Sequence, residues 1–189
     1  GKFAPHLLEE VYNLEDALVV AGFLNSFIRH ADVLKIANIA QIVNVIAPIL
    51  TRGDDVLIQS IFYPLEMYAS RREGISLQPV ISGPSYEGKT NGEVTVIDAS
   101  AILNEDALNV FATNRSVNEH SELTIILSDR PISKLVDGDL LTGSSPEAAN
   151  SYEQQDVMKS VPISGVTIEE GKALVTLPPL SVAAITFGL

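Results

Sequence analysis

The sequence contains no cysteine and no tryptophan, and its 12 Lys and Arg stand against 24 Asp and Glu, a formal net charge of −12 over 189 residues. Without cysteine there is neither a disulfide framework nor a thiolate metal site. The acidic excess argues against a nucleic-acid or anionic-membrane partner, since both need clustered Lys and Arg. No apolar run approaches the roughly 18–20 residues that span a bilayer. The opening residues Gly1-Lys2-Phe3-Ala4-Pro5-His6 lack the apolar core of a signal peptide. A cytoplasmic chain is the expectation, any signal sequence lying outside this stretch. What is present is 46% hydrophobic residues, too many for a disordered chain. The length suits one domain, or one domain with part of another.

The chain has two halves with different patterns. In residues 1–74, Asn13 is a candidate N-cap, with Asp16 three residues on, where a carboxylate favours the first turn. Leu14, Ala17, Leu18, Ala21, Leu24, Phe27 and Ile28 recur at helical spacing, predicting a helix from Leu14 to about His30. Val19, Val20 and Phe23 widen that stripe, as for a helix buried on more than one side. Val33-Leu34-Lys35-Ile36-Ala37 is a candidate parallel strand, and the amide-bearing run Asn38–Pro48 follows it. A second helix is expected over Asp55–Arg72, kinked near Tyr63 by Pro64. Helix, strand, loop and helix is the rhythm of an α/β barrel or a doubly wound sheet.

Residues 75–189 read as short alternating runs: Glu93–Ala99, Ala107–Thr113, Leu123–Leu127, Lys134–Leu141, Val161–Ile168, Lys172–Leu177 and Ser181–Phe187. Asp137-Gly138 and Glu170-Gly171 are candidate hairpin turns, and Gly83-Pro84 and Asn91-Gly92 mark loops. The pattern predicts an antiparallel sandwich or jelly roll. A lone parallel strand cannot bury itself, so the first half must belong to a larger barrel or pack on the sandwich in an unusual way. The barrel segment is the favoured expectation.

Candidate chemistry is sparse. Glu9-Glu10 and Glu15-Asp16 are adjacent carboxylates that cannot face each other across a cleft, as two-carboxylate glycoside hydrolysis requires. His6, His30 and His120 show no metal-ligand spacing, and His30 suits a helix C-terminus. No phosphate-binding loop or nucleophile elbow occurs. Asn114-Arg115-Ser116 matches the glycosylation triplet, which carries little weight by itself. Asn38, Gln41 and Asn44 stand out as amides in an apolar run just past the candidate strand. There they would either order the loop or meet a ligand, and an amide suits sugar hydroxyls because it both donates and accepts. No metal or cofactor is implied.

The runs Leu7–Leu18 (LLEEVYNLEDAL) and His30–Ile49 (HADVLKIANIAQIVNVIAPI), with Ile61-Phe62-Tyr63-Pro64 and Pro178–Ile185, closely resemble the C-terminal part of glycoside hydrolase family 51 α-L-arabinofuranosidases. The likeness extends along nearly the whole chain and is tightest over residues 7–64.

The resemblance implies the end of a (β/α)8 TIM barrel over 1–74, with its final strand and flanking helices, and a C-terminal jelly-roll sandwich over 75–189. It implies a retaining exo-hydrolase that removes terminal α-L-arabinofuranosyl units from arabinan, arabinoxylan and related oligosaccharides. The acid/base and nucleophile glutamates would lie upstream of Gly1, so no catalytic residue is expected here and the chain alone should be inactive. Gln41, in Ile39-Ala40-Gln41-Ile42-Val43-Asn44, resembles the family's sugar-binding glutamine. Asn38 and Asn44 remain loop-ordering candidates. The implied partners are the upstream barrel polypeptide, the arabinofuranosyl substrate and further copies in a homo-oligomer. The alternative is a non-catalytic binding or assembly module, which the scarcity of aromatics in the second half (Tyr86, Phe111, Tyr152, Phe187) weakens.

Overall fold

Residues 9–90 and 92–189 are described by the computed structural model. His6, Asn91 and the start of the Leu7–Leu18 run lie outside the described residues. In chain order come α1 (Leu14–Arg29), β1 (Ile49–Arg52), β2 (Asp55–Ile58), α2 (Phe62–Ala69), β3 (Ile75–Leu77), β4 (Ser85–Gly88) and β5 (Gly92–Thr95). There follow β6 (Ile97–Leu103), β7 (Ala107–Asn114), β8 (Ser121–Ile125), β9 (Lys134–Thr142), β10 (Val161–Pro162), β11 (Val166–Glu169), β12 (Lys172–Leu177) and β13 (Ser181–Gly188).

Helix α1 begins with a reciprocal cap. Asn13 Oδ1 accepts from the Asp16 amide at 3.1 Å, and Asp16 Oδ2 accepts from the Asn13 amide at 2.9 Å. Two more free amides of the first turn, Leu14 and Glu15, donate to the carbonyls of Ala148 and Pro146. Leu14, Ala17 and Ala21 are fully buried, whereas Val19 and Phe23 are 50% and 59% exposed. The wide stripe is therefore covered on one side only, a correction to the expected burial.

The centre is an antiparallel six-stranded sheet in the order β10-β9-β13-β7-β6-β3. One face meets a three-stranded sheet, β11-β12-β8, through a core that includes Val110, Ala183, Ile185, Phe187, Val175 and Leu177. The other face carries α1 and α2, joined to it by Phe111, Val182, Ala184, Met67 and Tyr68. Successive residues of β13 alternate between these two cores, with Val182 and Ala184 toward the helices and Ala183, Ile185 and Phe187 toward the second sheet. Coverage of both faces explains why β13 is apolar at nearly every position instead of alternating.

Three further expectations in the first half and one in the second are corrected. Val33–Ala37 forms no strand, and no barrel strand occurs among the described residues. A β-branched run without a neighbouring strand has nothing to pair with. The expected helix over Asp55–Arg72 starts only at Phe62, because Asp55–Ile58 pairs with Ile49–Arg52 as a hairpin. Its two-residue Gly53-Asp54 loop, with Gly53 at φ 62°, outweighs the helical spacing of Val56, Leu57 and Ile61. Pro64 is the third residue of α2, where a missing amide hydrogen costs nothing, so it produces no interior kink. Asp137-Gly138 is not a turn but lies within β9, opposite Thr186 and Ile185. Gly138 is needed because a side chain there would collide with Ile163. Glu170-Gly171 does turn the β11–β12 hairpin, at φ 50° and 76°.

Candidate functional site

Between α1 and β1 the chain crosses residues 30–48 with no regular element, and this stretch carries all three singled-out amides. It leaves the helix tightly. The His30 ring Nδ1–H donates to Ser26 O at 2.8 Å, and the amides of Val33 and Leu34 donate to His30 O. Beyond that point Val33, Ile36, Ile39 and Ile42 are 75%, 73%, 40% and 61% exposed. Apolar side chains at every third position, open to water on a segment without strand partners, form an unburied surface that asks for a cover.

Asn38 and Gln41 are exposed, and neither amide side chain has a hydrogen-bond partner among the described residues. Asn44 behaves differently. Its Oδ1 accepts from the Thr51 amide at 2.7 Å, its Nδ2 donates to Thr51 Oγ1 at 2.9 Å, and its own amide donates to Ile49 O. Asn44 and Val45 both adopt left-handed backbone, at φ 63° and 62°, which is a strained conformation for a β-branched residue. The structure thus separates two free amides from one engaged in a turn.

Sequence reasoning passed over the residues that hold the far end of this stretch. The carbonyls of Val45, Ile46, Ala47 and Pro48 accept, in order, from Glu10 N at 2.8 Å, Tyr12 Oη at 3.0 Å, Gln59 Nε2 at 2.7 Å and Gln59 N at 2.9 Å. The signal available was an amide, Gln59, inside the apolar run Leu57-Ile58-Gln59-Ser60-Ile61.

Glu9 and Glu10 are exposed, and Asp16 is spent on the helix cap. A cavity of about 420 Å³ between the helices and residues 31–37 is walled by Leu24, Phe27, Ile28, Leu34 and Tyr68, with Lys35 and Arg72, and contains no carboxylate. No group of three His, Asp or Glu capable of holding a metal occurs among the described residues. His120 is exposed. Of the aromatics in the second half, Phe111 and Phe187 are fully buried, and the Tyr152 ring is covered by the Arg52 guanidinium 4.0 Å from its centre. Tyr86 stands alone at 47% exposure, so no aromatic platform forms. No helix among the described residues is long and apolar enough to cross a membrane.

The model of the alpha-L-arabinofuranosidase C-terminal domain family matches residues 2–181. The chain belongs to that family. An exo-alpha-(1->6)-L-arabinofuranosidase from Bifidobacterium longum is 34% identical over 187 residues, covering 96% of this chain and 36% of that protein. An intracellular exo-alpha-(1->5)-L-arabinofuranosidase from Streptomyces lividans is 32% identical over 180 residues, covering 94% of this chain and 27% of that protein. Among solved structures, a family 51 alpha-L-arabinofuranosidase from Bifidobacterium longum superimposes with a TM-score of 0.89 at 32% identity, over 97% of this chain and 37% of that one. The chain therefore spans only about a quarter to somewhat more than a third of these relatives.

Proposed function

We propose that this chain is the C-terminal part of a retaining exo-α-L-arabinofuranosidase acting on arabinan, arabinoxylan and related oligosaccharides. The observation that carries the reading is the exposed apolar stretch Val33–Ile46, which bears an exposed Gln41 whose side chain has no partner among the described residues. An upstream barrel of the same enzyme is the cover this surface fits, since the relatives extend well beyond the matched length. Burying Val33, Ile36 and Ile42 there would gain about 1.5–3 kcal/mol each. In that setting residues 33–46 pack against the barrel instead of facing water. Residues 1–74 then belong with the barrel and 75–189 form the jelly-roll domain of a cytoplasmic homo-oligomer.

The division of labour follows from the chemistry. Hydrolysis with retention needs one carboxyl as acid/base and another as nucleophile about 5–5.5 Å away, forming a covalent glycosyl-enzyme that water then cleaves. We assign both to the upstream barrel. Gln41, with a donor and an acceptor on one planar group, contacts the sugar hydroxyls and orients the ring for attack.

The test is made in the complete enzyme with an aryl α-L-arabinofuranoside. Gln41→Ala removes one or two hydrogen bonds worth about 0.5–1.5 kcal/mol each, so kcat/KM should fall by roughly 2- to 150-fold. An unchanged kcat/KM would take Gln41 out of the site. The isolated chain should show no turnover.

A further inference from the structure

Resting on the arabinofuranosidase reading above, we propose that Gln59 is a positioning residue for the sugar site: it fixes residues 45–48 and, through them, the segment that presents Gln41. Gln59 is 1% exposed, and Ala47, whose carbonyl it holds, and Leu57 and Ile61, two residues to either side of it, are all at 4% exposure or less. A primary amide in such surroundings is costly to bury unless both of its ends are used. Both are. Nε2 donates to Ala47 O at 2.7 Å, and Oε1 accepts from Tyr12 N at 3.0 Å, while the backbone amide of Gln59 reaches Pro48 O at 2.9 Å. One residue therefore ties the approach to α1 to the end of the loop. An apolar side chain of the same size would leave Ala47 O and the Tyr12 amide without partners.

The geometry around this clamp points to one purpose. Four consecutive carbonyls, 45 to 48, are each held by a donor from outside the segment, two of them from Gln59. Just ahead lie Asn44 and Val45 in left-handed backbone, a conformation that persists only where its surroundings enforce it. The Asn44–Thr51 pair and the Val43–Ile49 bridge lock the same turn. Gln41 precedes this locked turn by three residues. Upstream of it, the hydrogen bonds among the described residues stop at Leu34 and Lys35. The direction in which Gln41 leaves the fold is consequently set from its C-terminal side, at the clamp.

The test uses the complete enzyme, an aryl α-L-arabinofuranoside, and the variants Gln59→Met, Gln41→Ala and their combination. Hydrogen exchange is followed in peptides covering residues 10–13 and 44–51. Gln59→Met should lower kcat/KM by about fivefold or more and accelerate exchange in both peptides. In the Gln41→Ala background the same change should alter kcat/KM by less than about twofold, because the residue acts through Gln41. An equal loss in both backgrounds, or unchanged exchange, overturns the positioning role while leaving Gln41 in the site. An unchanged Gln41→Ala enzyme instead overturns the sugar contact, and the positioning role with it. Tyr12→Phe serves if Gln59→Met does not fold. It removes only the solvent-exposed bond to Ile46 O, and a smaller, likewise Gln41-dependent loss is expected.

Discussion

The carboxamide of Asn25 on α1 donates to Oδ2 of Asp98 on β6 at 3.0 Å, a bond between two buried side chains that seats the helix on the sheet. Asn25 Oδ1 accepts from both Tyr68 Oη at 2.9 Å and Ser100 Oγ at 2.7 Å, and Arg29 closes the group on Asp98 Oδ1 at 2.9 Å. Every member is satisfied, which is the condition under which a buried polar network specifies one packing. Asn25→Leu keeps the volume but strands the Ser100 hydroxyl and part of a carboxylate, and leaves Tyr68 Oη only the long 3.4 Å bond to Ala21 O. We expect a loss of about 2–6 kcal/mol, from roughly 1–3 kcal/mol for each of the two orphaned groups, read from the urea midpoint.

The cap of the same helix gives a milder prediction. Asn13 and Asp16 exchange hydrogen bonds at the N-terminus, so Asn13→Ala should cost about 1 kcal/mol. Asn13→Gly should cost only a few tenths of that unit, since Gly tolerates the cap conformation and admits water to the free amides. Equal losses for the two variants, measured by denaturant titration, would mean that the side-chain bond contributes nothing.

Asn114 sits in the Asn-Arg-Ser triplet but cannot serve as a glycan acceptor in the folded chain. The residue is fully buried, and its Nδ2 donates to the carbonyls of Glu119 and Pro178, each at 2.9 Å, and to Leu177 O at 3.3 Å. Expressed in a glycosylating secretory host, the natively folded fraction should have an unmodified Asn114 in its peptide mass spectrum. Asn114→Ala should destabilise by about 1–3 kcal/mol, because the carbonyls at the β12–β13 corner lose their donor.

How much could be read from the residues depended on how local each cause was. The α1 start, β12 and β13 were legible because a cap, an alternating run with a Glu-Gly turn, or a continuous apolar run lies within a few residues, whereas β9 was read with a false turn at Asp137-Gly138. Val33–Ala37 has the composition of a strand, but strand formation needs neighbours that the described residues do not supply. The β1–β2 hairpin was announced by Gly53-Asp54, yet the helical spacing of Val56, Leu57 and Ile61 spoke louder than two residues of turn. For the proposed site, Gln41 stood out as an amide in an apolar run. Tyr12 and Asn25 did not, because their partners lie 34 to 75 residues away, and Gln59 showed only as an amide in an apolar run, since one of its side-chain partners lies 12 residues away and the other 47.

Tyr68 should control the alkaline limit of stability. Its ring stacks on Phe111 with centroids 4.2 Å apart, and its hydroxyl is buried against Asn25 Oδ1. Burial is the main cause that pushes its pKa well above the ordinary tyrosine value, and the nearby Asp98 charge pushes it the same way. A pKa higher in the folded than in the unfolded state means that the native form keeps a proton the unfolded form gives up. The resulting stability is complete below the unfolded value near pH 10 and declines as pH rises above it toward the folded pKa. Tyr68→Phe forfeits the bond to Asn25, so it should be less stable than the parent at pH 7 by about 1 kcal/mol. Above about pH 10 its stability should fall less steeply, and the two curves should converge. Parallel curves from pH 8 to 11 would mean that Tyr68 ionises as readily in the native chain as in the unfolded one, contrary to its burial.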